Sequence, residues 1–217
     1  DTTRGKWAFD KLIHSFAAQE VKILVGTQMI IKGLDFQNVH LVGVLNADHL
    51  MNFPDFRAHE RTYQMLSQVA GRAGRKALRG KVLIQTYQPQ HPIIQKVIEG
   101  NYDQMLHQQL KDRKEYHYPP YNRLIRMVVN HSDMETVKKA SQWIVNVLLQ
   151  SDYGQILGPV FPPIARVRNR YRMQILIKIE GSQSRDRVKQ IIRKTLDRFE
   201  SITIFRSCKV NLDVDPY

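Results

Sequence analysis

The chain has 217 residues, 42% of them hydrophobic, so it can form one large or two small packed domains and is neither disordered nor collagen-like. It holds 33 lysine and arginine residues against 20 aspartate and glutamate residues, and the formal charge of +13 favours a polyanionic partner. The second half carries most of this charge, since residues 1–110 are net +4 and residues 111–217 are net +9.

The single cysteine, Cys208, excludes an internal disulfide and a multi-cysteine zinc site within the chain, and it favours a reducing cytoplasm. No apolar run approaches the roughly 18 residues of a membrane span, and residues 1–20 lack the features of a secretory signal. We therefore expect no membrane partner. Because the chain lacks an initiating Met and enters a helical pattern almost at once, we expect it to be a fragment of a longer protein.

The first half of the chain alternates helical and strand patterns. In chain order the predicted elements are a helix with its apolar stripe at Phe9, Leu12, Ile13 and Phe16 after a Thr2-Thr3 start that could cap it, buried parallel strands over 21–25 and 39–45, a helix over 57–70 closed by Gly71, a strand over 81–87, and a helical connector from Ile94 to Leu110. This alternation predicts a parallel αβ sheet whose functional loops follow the carboxyl ends of the strands. Residues 26–36 and 68–75 then flank one edge of the sheet.

The Tyr- and Pro-rich segment Tyr116–Tyr121 interrupts the helical pattern, and we place the domain boundary there, with domains at 1–115 and 116–217. The elements predicted beyond it are a strand over 124–130, a helix that starts at a capping box of Ser132 and Glu135, a strand over 155–160, a half-buried strand over 170–179, a helix over 188–199 and a strand over 210–214. The order β-α-β-β-α-β predicts a split βαβ sandwich, a smaller α+β domain. Residues 201–205 receive no assignment.

The most specific segment is Gln68-Val69-Ala70-Gly71-Arg72-Ala73-Gly74-Arg75, in which two arginines three residues apart follow a helix-stop glycine. Arginine suits a γ-phosphate because its planar fork binds oxygens bidentately and stays charged. Two isolated arginines would be expected in a solvated basic turn. The whole eight-residue pattern favours phosphate contact instead.

A second segment, Gly26 to Phe36, follows the first predicted strand. Its glycines allow close backbone approach to phosphate or sugar, while Thr27 and Asp35 supply a hydroxyl and a carboxylate. Alone, this segment would be an ordinary strand-to-helix loop. Together, the two segments resemble motifs V and VI of superfamily 2 helicases, in the second RecA-like lobe.

Other segments narrow the resemblance: Asp1–Thr3, Leu45–Asp48, Phe53–Ala58, Glu60–Arg61, Tyr118–Tyr121 and Asp213–Pro216. With them, essentially the whole chain resembles the primosomal protein N′ (PriA) family of bacterial replication-restart helicases. The resemblance implies a partial RecA-like parallel αβ sheet (helicase lobe 2) followed by a basic C-terminal α+β domain. It also implies that an N-terminal DNA-binding domain, the first RecA lobe and a zinc-binding, cysteine-rich insertion precede Asp1.

The resemblance further implies an ATP-dependent 3′-5′ DNA helicase that reloads the replication machinery at stalled forks. ATP and Mg²⁺ would be bound mainly by the missing lobe, Arg72 and Arg75 would act as arginine fingers on the γ-phosphoryl group, and Gln68 would orient the γ-phosphate. Residues that would couple nucleotide state to DNA grip are Gly26, Thr27, Lys32, Gly33, Asp35, Gly71 and Gly74.

Several motifs are absent or incomplete. The chain has no G-x-x-x-x-G-K-[ST] phosphate loop, so we expect the fragment alone not to hydrolyse ATP. His59-Glu60 begins an H-E-x-x-H motif that Tyr63 breaks, and we expect no metal site. Asp48 resembles a Walker B acid after its strand, but we expect it to cap or pack.

The basic second domain has two candidate sites. Arg166, Arg168, Arg170 and Arg172 recur with period 2 around Tyr171, so an extended segment would put all four guanidinium groups on one side, facing DNA phosphates. The alternative is a solvated hairpin that protects a sheet edge. Arg185 and Lys189 are neighbours at the start of the last helix, and by resemblance they would receive the acidic C-terminal tail of single-stranded DNA-binding protein. An exposed basic helix is the alternative.

The partners implied by the resemblance are forked and single-stranded DNA, single-stranded DNA-binding protein, other primosome proteins and the missing N-terminal part of the same protein. Two other functions remain open. One is a non-enzymatic nucleic-acid or protein-binding module with a degenerate RecA lobe. The other is a different superfamily 2 DNA translocase, against which Pro54–Arg57 and the final Asp-Val-Asp-Pro argue.

Overall fold

A computed structural model describes residues 7–27, 39–71, 73, 80–151 and 154–216. The chain divides into two compact units, Asp1–Gln109 and Leu110–Tyr217. The elements of the first unit are α1 (Ala8–Ala17), β1 (Leu41–Val44), α2 (Asp48–Met51), α3 (Ala58–Ala70), β2 (Lys81–Ile84) and α4 (Pro92–Glu99), and α5 (Tyr102–Glu115) continues into the second unit. The second unit adds β3 (Asn122–His131), α6 (Met134–Leu149), β4 (Gln155–Val160), β5 (Arg166–Val167), β6 (Arg170–Glu180), α7 (Arg185–Ser201) and β7 (Lys209–Val214).

The first unit contains a parallel pair of strands, β1 and β2, in register from Leu41 opposite Lys81 to Val44 opposite Ile84. Val44 and Ile84 pack against a small core of Ala47, Met51, Leu66 and Ile94. The predicted parallel αβ arrangement is therefore confirmed. The predicted burial of the strand over 39–45 is wrong, since Leu41 is 57% exposed on the face that no described helix covers. Leu83 of β2, on the same face, is 61% exposed.

The predicted strand over 21–25 is not formed, and Ile23 and Val25 are 78% and 80% exposed. A strand exists only where a neighbour completes its hydrogen bonds, and a short apolar run does not supply that neighbour. The helix before it is present, with its predicted stripe half-buried. The Thr2-Thr3 cap lies outside the described residues, and α1 begins after Trp7 without a side-chain cap.

The structure has two helices, α4 and α5, where the sequence predicted a single helix over 94–110. Gly100, with a left-handed φ of 66°, ends α4, and α5 starts two residues later. Ile93, Ile94 and Met105 are buried, whereas Ile98 is 68% exposed. The helical pattern ends at Glu115, directly before the Tyr116–Tyr121 segment, which we call the connector segment.

The second unit is an antiparallel sheet with the strand order β4-β6-β3-β7, and β5 pairs with the start of β6. This is the predicted β-α-β-β-α-β order with the small strand β5 added. Ile125, Met127, Ile175 and Ile177 on the two central strands form a core with the apolar faces of α6 and α7. The unassigned stretch contains a 3-10 turn, Thr203–Phe205, whose Phe205 ring stacks on Phe199 at 5.2 Å between centroids.

The predicted capping box of Ser132 and Glu135 is wrong. Asp133 is the N-cap of α6, and its carboxylate accepts hydrogen bonds from the backbone N–H and the hydroxyl of Thr136, both at 2.7 Å. Glu135 instead forms an ion pair with Lys138 at 3.0 Å. Aspartate is among the most favourable N-cap residues, and here it lies one position nearer the helix than the serine.

Candidate functional site

The segment Gln68–Arg75, which is expected to contact phosphate, begins on the last turn of α3. Gln68 lies on the last turn with an exposed side chain, and the Gly71 N–H caps the helix on the Ser67 carbonyl at 3.0 Å. Gly71 has a right-handed φ of −67°, and an added Cβ would meet only ordinary contacts at 3.6 Å. Within the described residues, neither its backbone conformation nor the space around its Cβ position requires glycine. Arg72, Gly74 and Arg75 lie outside the described residues.

Core packing of Leu66 and an ion pair at the start of α3 hold that helix in place. Thr62 is fully buried and donates to the Ala58 carbonyl at 2.8 Å, and Leu66 is fully buried as well. Asp55 accepts a hydrogen bond from the Arg57 N–H and forms an ion pair with Arg61, each at 2.9 Å. The Phe53–Ala58 segment, noted above for its resemblance, thus fixes the start of the helix that carries Gln68.

The second segment is described only at its start. Gly26 and Thr27 are exposed and follow the irregular stretch from Val21, while Lys32, Gly33 and Asp35 lie outside the described residues. The expected proximity of this segment to Gln68 and the two arginines therefore stays a prediction.

Asp48 has the role expected from the sequence. It is 8% exposed, and its carboxylate accepts from the Thr86 hydroxyl at 2.9 Å and from the Tyr87 N–H at 3.0 Å. Burial alone would raise the pKa of this carboxyl, but these hydrogen bonds, with the charge of His91, hold the pKa below its usual value. Asp48 therefore ties the residues after β1 to the end of β2.

The four hairpin arginines do not share one side of an extended strand, so that prediction is wrong. β5 pairs with β6 with Arg166 opposite Tyr171, and the chain reverses at Arg168 and Asn169, whose φ angles are 47° and 61°. Positive φ at both central positions suits a tight hairpin turn. Arg166 therefore shares a face with Tyr171, and Arg170 and Arg172 lie on the opposite face.

Local contacts hold two of these arginines. The Arg166 guanidinium lies 4.8 Å above the Tyr171 ring and hydrogen-bonds the Asn169 side chain. Arg170 Nη2 donates to the Ser207 carbonyl at 3.1 Å. No ion pair involves Arg166, Arg168, Arg170 or Arg172 in the part of the chain that the structure describes.

Lys209 is a basic residue of this end of the sheet that the sequence analysis did not identify. Asn130 on β3 is paired with Arg172 on one side and with Lys209 on the other, so all three side chains lie on one face. Val210, Leu212 and Val214 alternate on one face of β7, so Lys209 lies on the opposite face. This alternation could have identified Lys209 from the sequence. We call Arg166, Arg168, Arg170, Arg172 and Lys209 the basic end of the sheet.

The second candidate site lies at the start of α7. Ser184 caps this helix by accepting from the Arg187 N–H at 3.5 Å. Arg185 lines a cavity of about 230 Å³ together with Tyr121, Arg123, Glu180 and Gln183. Lys189 is exposed but does not line this cavity, so the structure brings Arg123 to Arg185 there rather than the expected pair.

Metal-holding clusters and membrane-spanning helices are both absent from the described ranges. No group of three or more His, Cys, Asp or Glu side chains there is arranged to hold a metal ion. Among the helices of those ranges, none combines the length and the apolar character needed to cross a membrane.

Each of the two units matches a known protein family. The Helicase conserved C-terminal domain matches residues 8–77, and the Primosomal protein N C-terminal domain matches residues 114–217. Replication restart protein PriA of Bacillus subtilis is 39% identical over 100% of this chain, which covers 27% of that protein. The Synechocystis protein of the same name is 42% identical over 100% of this chain, which covers 25% of that protein. The Treponema pallidum protein is 37% identical over 94% of this chain, which covers 30% of that protein.

The chain thus spans between a quarter and a third of the length of these relatives. Helicase and restart-protein domains follow one another in it in the order predicted from the motifs. The chain belongs to the family of replication restart protein PriA, of which it matches the C-terminal portion.

Proposed function

We propose that the chain is the C-terminal portion of an ATP-dependent DNA helicase that restarts replication at stalled forks in the bacterial cytoplasm. The observation that carries this proposal is the Gln68–Arg75 segment within a helicase C-terminal match, at the end of a helix that buried contacts hold in place. A fixed helix suits this role, because an arginine finger must be positioned before charge develops on the transferred phosphoryl group.

The residues of this chain fit one side of a nucleotide. Gln68 is exposed at the end of the helix that leads into the two arginines. ATP, when bound, supplies the γ-phosphoryl group. Arg72 and Arg75 then present planar, permanently charged forks to its oxygens. By resemblance to the family, Mg²⁺ would be held mainly by the first RecA lobe of the whole protein.

The test uses the missing amino-terminal portion of the protein. Mixing it with this chain is expected to restore DNA-stimulated ATP hydrolysis, and Arg72→Ala or Arg75→Ala is expected to reduce the restored kcat by about 10³-fold or more. Lys81→Ala, an exposed cation of the same unit, is the matched control and should leave the rate unchanged. The same substitutions in a continuous full-length polypeptide test the arginines without requiring two separate pieces to associate. Full activity of both arginine variants there would refute the finger role.

The basic end of the sheet is proposed to contact the DNA backbone. Arg170, Arg172 and Lys209 lie on one face of the sheet, Arg168 lies at the hairpin tip and Arg166 on the other face. No described carboxylate forms an ion pair with them. A surface of this kind attracts phosphates without regard to base sequence.

The Arg185 cavity is proposed to receive the acidic C-terminal tail of single-stranded DNA-binding protein. Arg185 and Arg123 can pair with carboxylates, and the amino terminus of α7 favours an anion. Fluorescence anisotropy with a labelled tail peptide tests this. Arg185→Ala should weaken binding about tenfold or more, with Arg198→Ala as the control, and equal affinities of the two variants would contradict it.

A further inference from the structure

Lys178 is a buried lysine in the middle of the antiparallel sheet. It lies on the central strand β6 between Ile177 and Ile179, and only 5% of it is exposed. Its two neighbours in sequence belong to the core, so Lys178 projects from the sheet face opposite α6 and α7. Lysine is rarely this buried unless it is paired, because its ammonium group loses its hydration.

The partners of Lys178 both belong to the connector segment. Its Nζ donates to the Tyr116 carbonyl at 2.6 Å and lies 3.8 Å from the centroid of the Tyr118 ring. No carboxylate forms an ion pair with it in the described part of the chain, and burial lowers its pKa. The burial of this cation is therefore offset by a carbonyl and an aromatic face from one short stretch.

Backbone hydrogen bonds from Tyr116, His117 and Tyr118 attach the connector segment to α5. Pro119 and Pro120 have no N–H to donate, so two successive positions cannot join a sheet or helix ladder. The Tyr118 N–H bonds back to the Arg113 carbonyl of α5 at 2.7 Å, which ties the segment to the helix before it. Lys178 is the side chain that ties the same turn to the sheet.

The backbone beside Lys178 is closely packed. A Cβ on Gly154 would lie 2.2 Å from the Lys178 carbonyl oxygen, and a Cβ on Gly181 would lie 3.3 Å from the Tyr121 carbonyl oxygen. The strand that carries Lys178 is thus paired with β4 on one edge and β3 on the other, and the connector segment contacts the chain at the end of this strand.

We propose that Lys178 is a positioning residue that holds the connector segment on the sheet. The connector segment leads from α5 into β3, so its attachment sets the direction in which the chain enters the sheet. Through this attachment, a displacement of the end of α5 is transmitted to β3 and β6. When the attachment is broken, the second unit keeps its fold and the connector segment becomes mobile.

The test measures connector mobility and fold stability separately in the 217-residue chain. Lys178→Met keeps the length of the side chain and removes its charge, and an apolar group at such a site is often neutral or stabilising. We expect an unchanged or higher Tm together with chymotryptic cleavage after Tyr116 and Tyr121 that is faster by about tenfold or more. Lys178→Arg, which retains a cation and donors, should restore most of the resistance. Lys194→Met, an exposed lysine of α7, is the control.

A second variant keeps the inference open to refutation if Lys178→Met does not fold. Tyr118→Leu removes the ring from the other side of the contact and leaves the Tyr116 cleavage site in place. It should accelerate that cleavage to a similar extent. Cleavage within about twofold of the wild-type rate in a folded variant, or hydrogen exchange that rises across all of β6 as much as in the connector segment, would overturn the proposal.

The consequence for a complete helicase rests on the proposed function. There, Lys178→Met should lower DNA unwinding several-fold and leave DNA-stimulated ATP hydrolysis unchanged. Unchanged unwinding, or an equal loss of hydrolysis, would overturn the transmission of movement. The arginine fingers are judged by the hydrolysis rates of their own variants, so the two proposals fail independently.

Discussion

At the scale of single residues, Gly154 and Gly100 show two different reasons for a glycine. Both have a left-handed φ, 67° and 66°, in which a Cβ is strained. Nothing lies within 4 Å of a Cβ built on Gly100, whereas one on Gly154 would come within 2.2 Å of the Lys178 carbonyl oxygen. Gly100 provides the left-handed residue that ends α4. Gly154 has the same backbone conformation and, in addition, allows the chain to pass close to β6.

Replacing each glycine by alanine separates these two effects. Gly100→Ala is expected to lower the free energy of unfolding by about 1–2 kcal/mol through backbone strain alone. Gly154→Ala should lower it by about 3 kcal/mol or more, since the backbone must also move away from a clash. Chemical denaturation followed by circular dichroism measures both. Equal losses in the two variants would show that the contact with Lys178 contributes nothing.

At the scale of elements, regular apolar periodicity correctly predicted the helices and strands that place one face against a core. The alternation over 171–179 identified β6, and the stripes of α3, α6 and α7 identified those helices. The run over 21–25 was misassigned because pairing, not composition, makes a strand. From the sequence, the hairpin around Arg168 and Asn169 was only the alternative to an extended strand, because neither residue is the glycine that usually marks positive φ. A period-2 pattern through a hairpin tip is therefore no guarantee of a shared face.

The corrected hairpin makes a specific prediction for DNA binding. Arg168 at the exposed tip and Arg172 beside Asn130 can each neutralise one phosphate. Alanine at either position should reduce the slope of log K against log salt by about 0.7 for single-stranded DNA. Because Arg166 already covers the Tyr171 ring, the loss should be the same for oligo-dT and oligo-dA. Anisotropy titrations over a range of salt measure this, with Arg193→Ala as the control. An unchanged slope in both variants would remove the hairpin from the DNA contact.

At the scale of the whole molecule, the two units differ in how much core they contain. One cluster of 16 buried residues unites the sheet, α6 and α7 in the second unit. The described part of the first unit has clusters of four and three, and its two strands are covered on one face. A two-stranded sheet with so small a core is marginal in isolation, whereas a five-stranded sheet under two helices is self-sufficient.

This difference predicts how the two units fold when they are separated. Residues 110–217 alone should unfold in one cooperative transition with a Tm within a few degrees of the corresponding transition in the intact chain. Residues 1–109 alone should show weak cooperativity and bind a hydrophobic dye, because Ile23, Val25 and Leu83 are already 78%, 80% and 61% exposed. Differential scanning calorimetry and dye fluorescence decide the matter. A sharp, reversible transition in residues 1–109 would mean that residues outside the described ranges complete its core. Loss of cooperativity in residues 110–217 would mean that the larger core depends on the first unit.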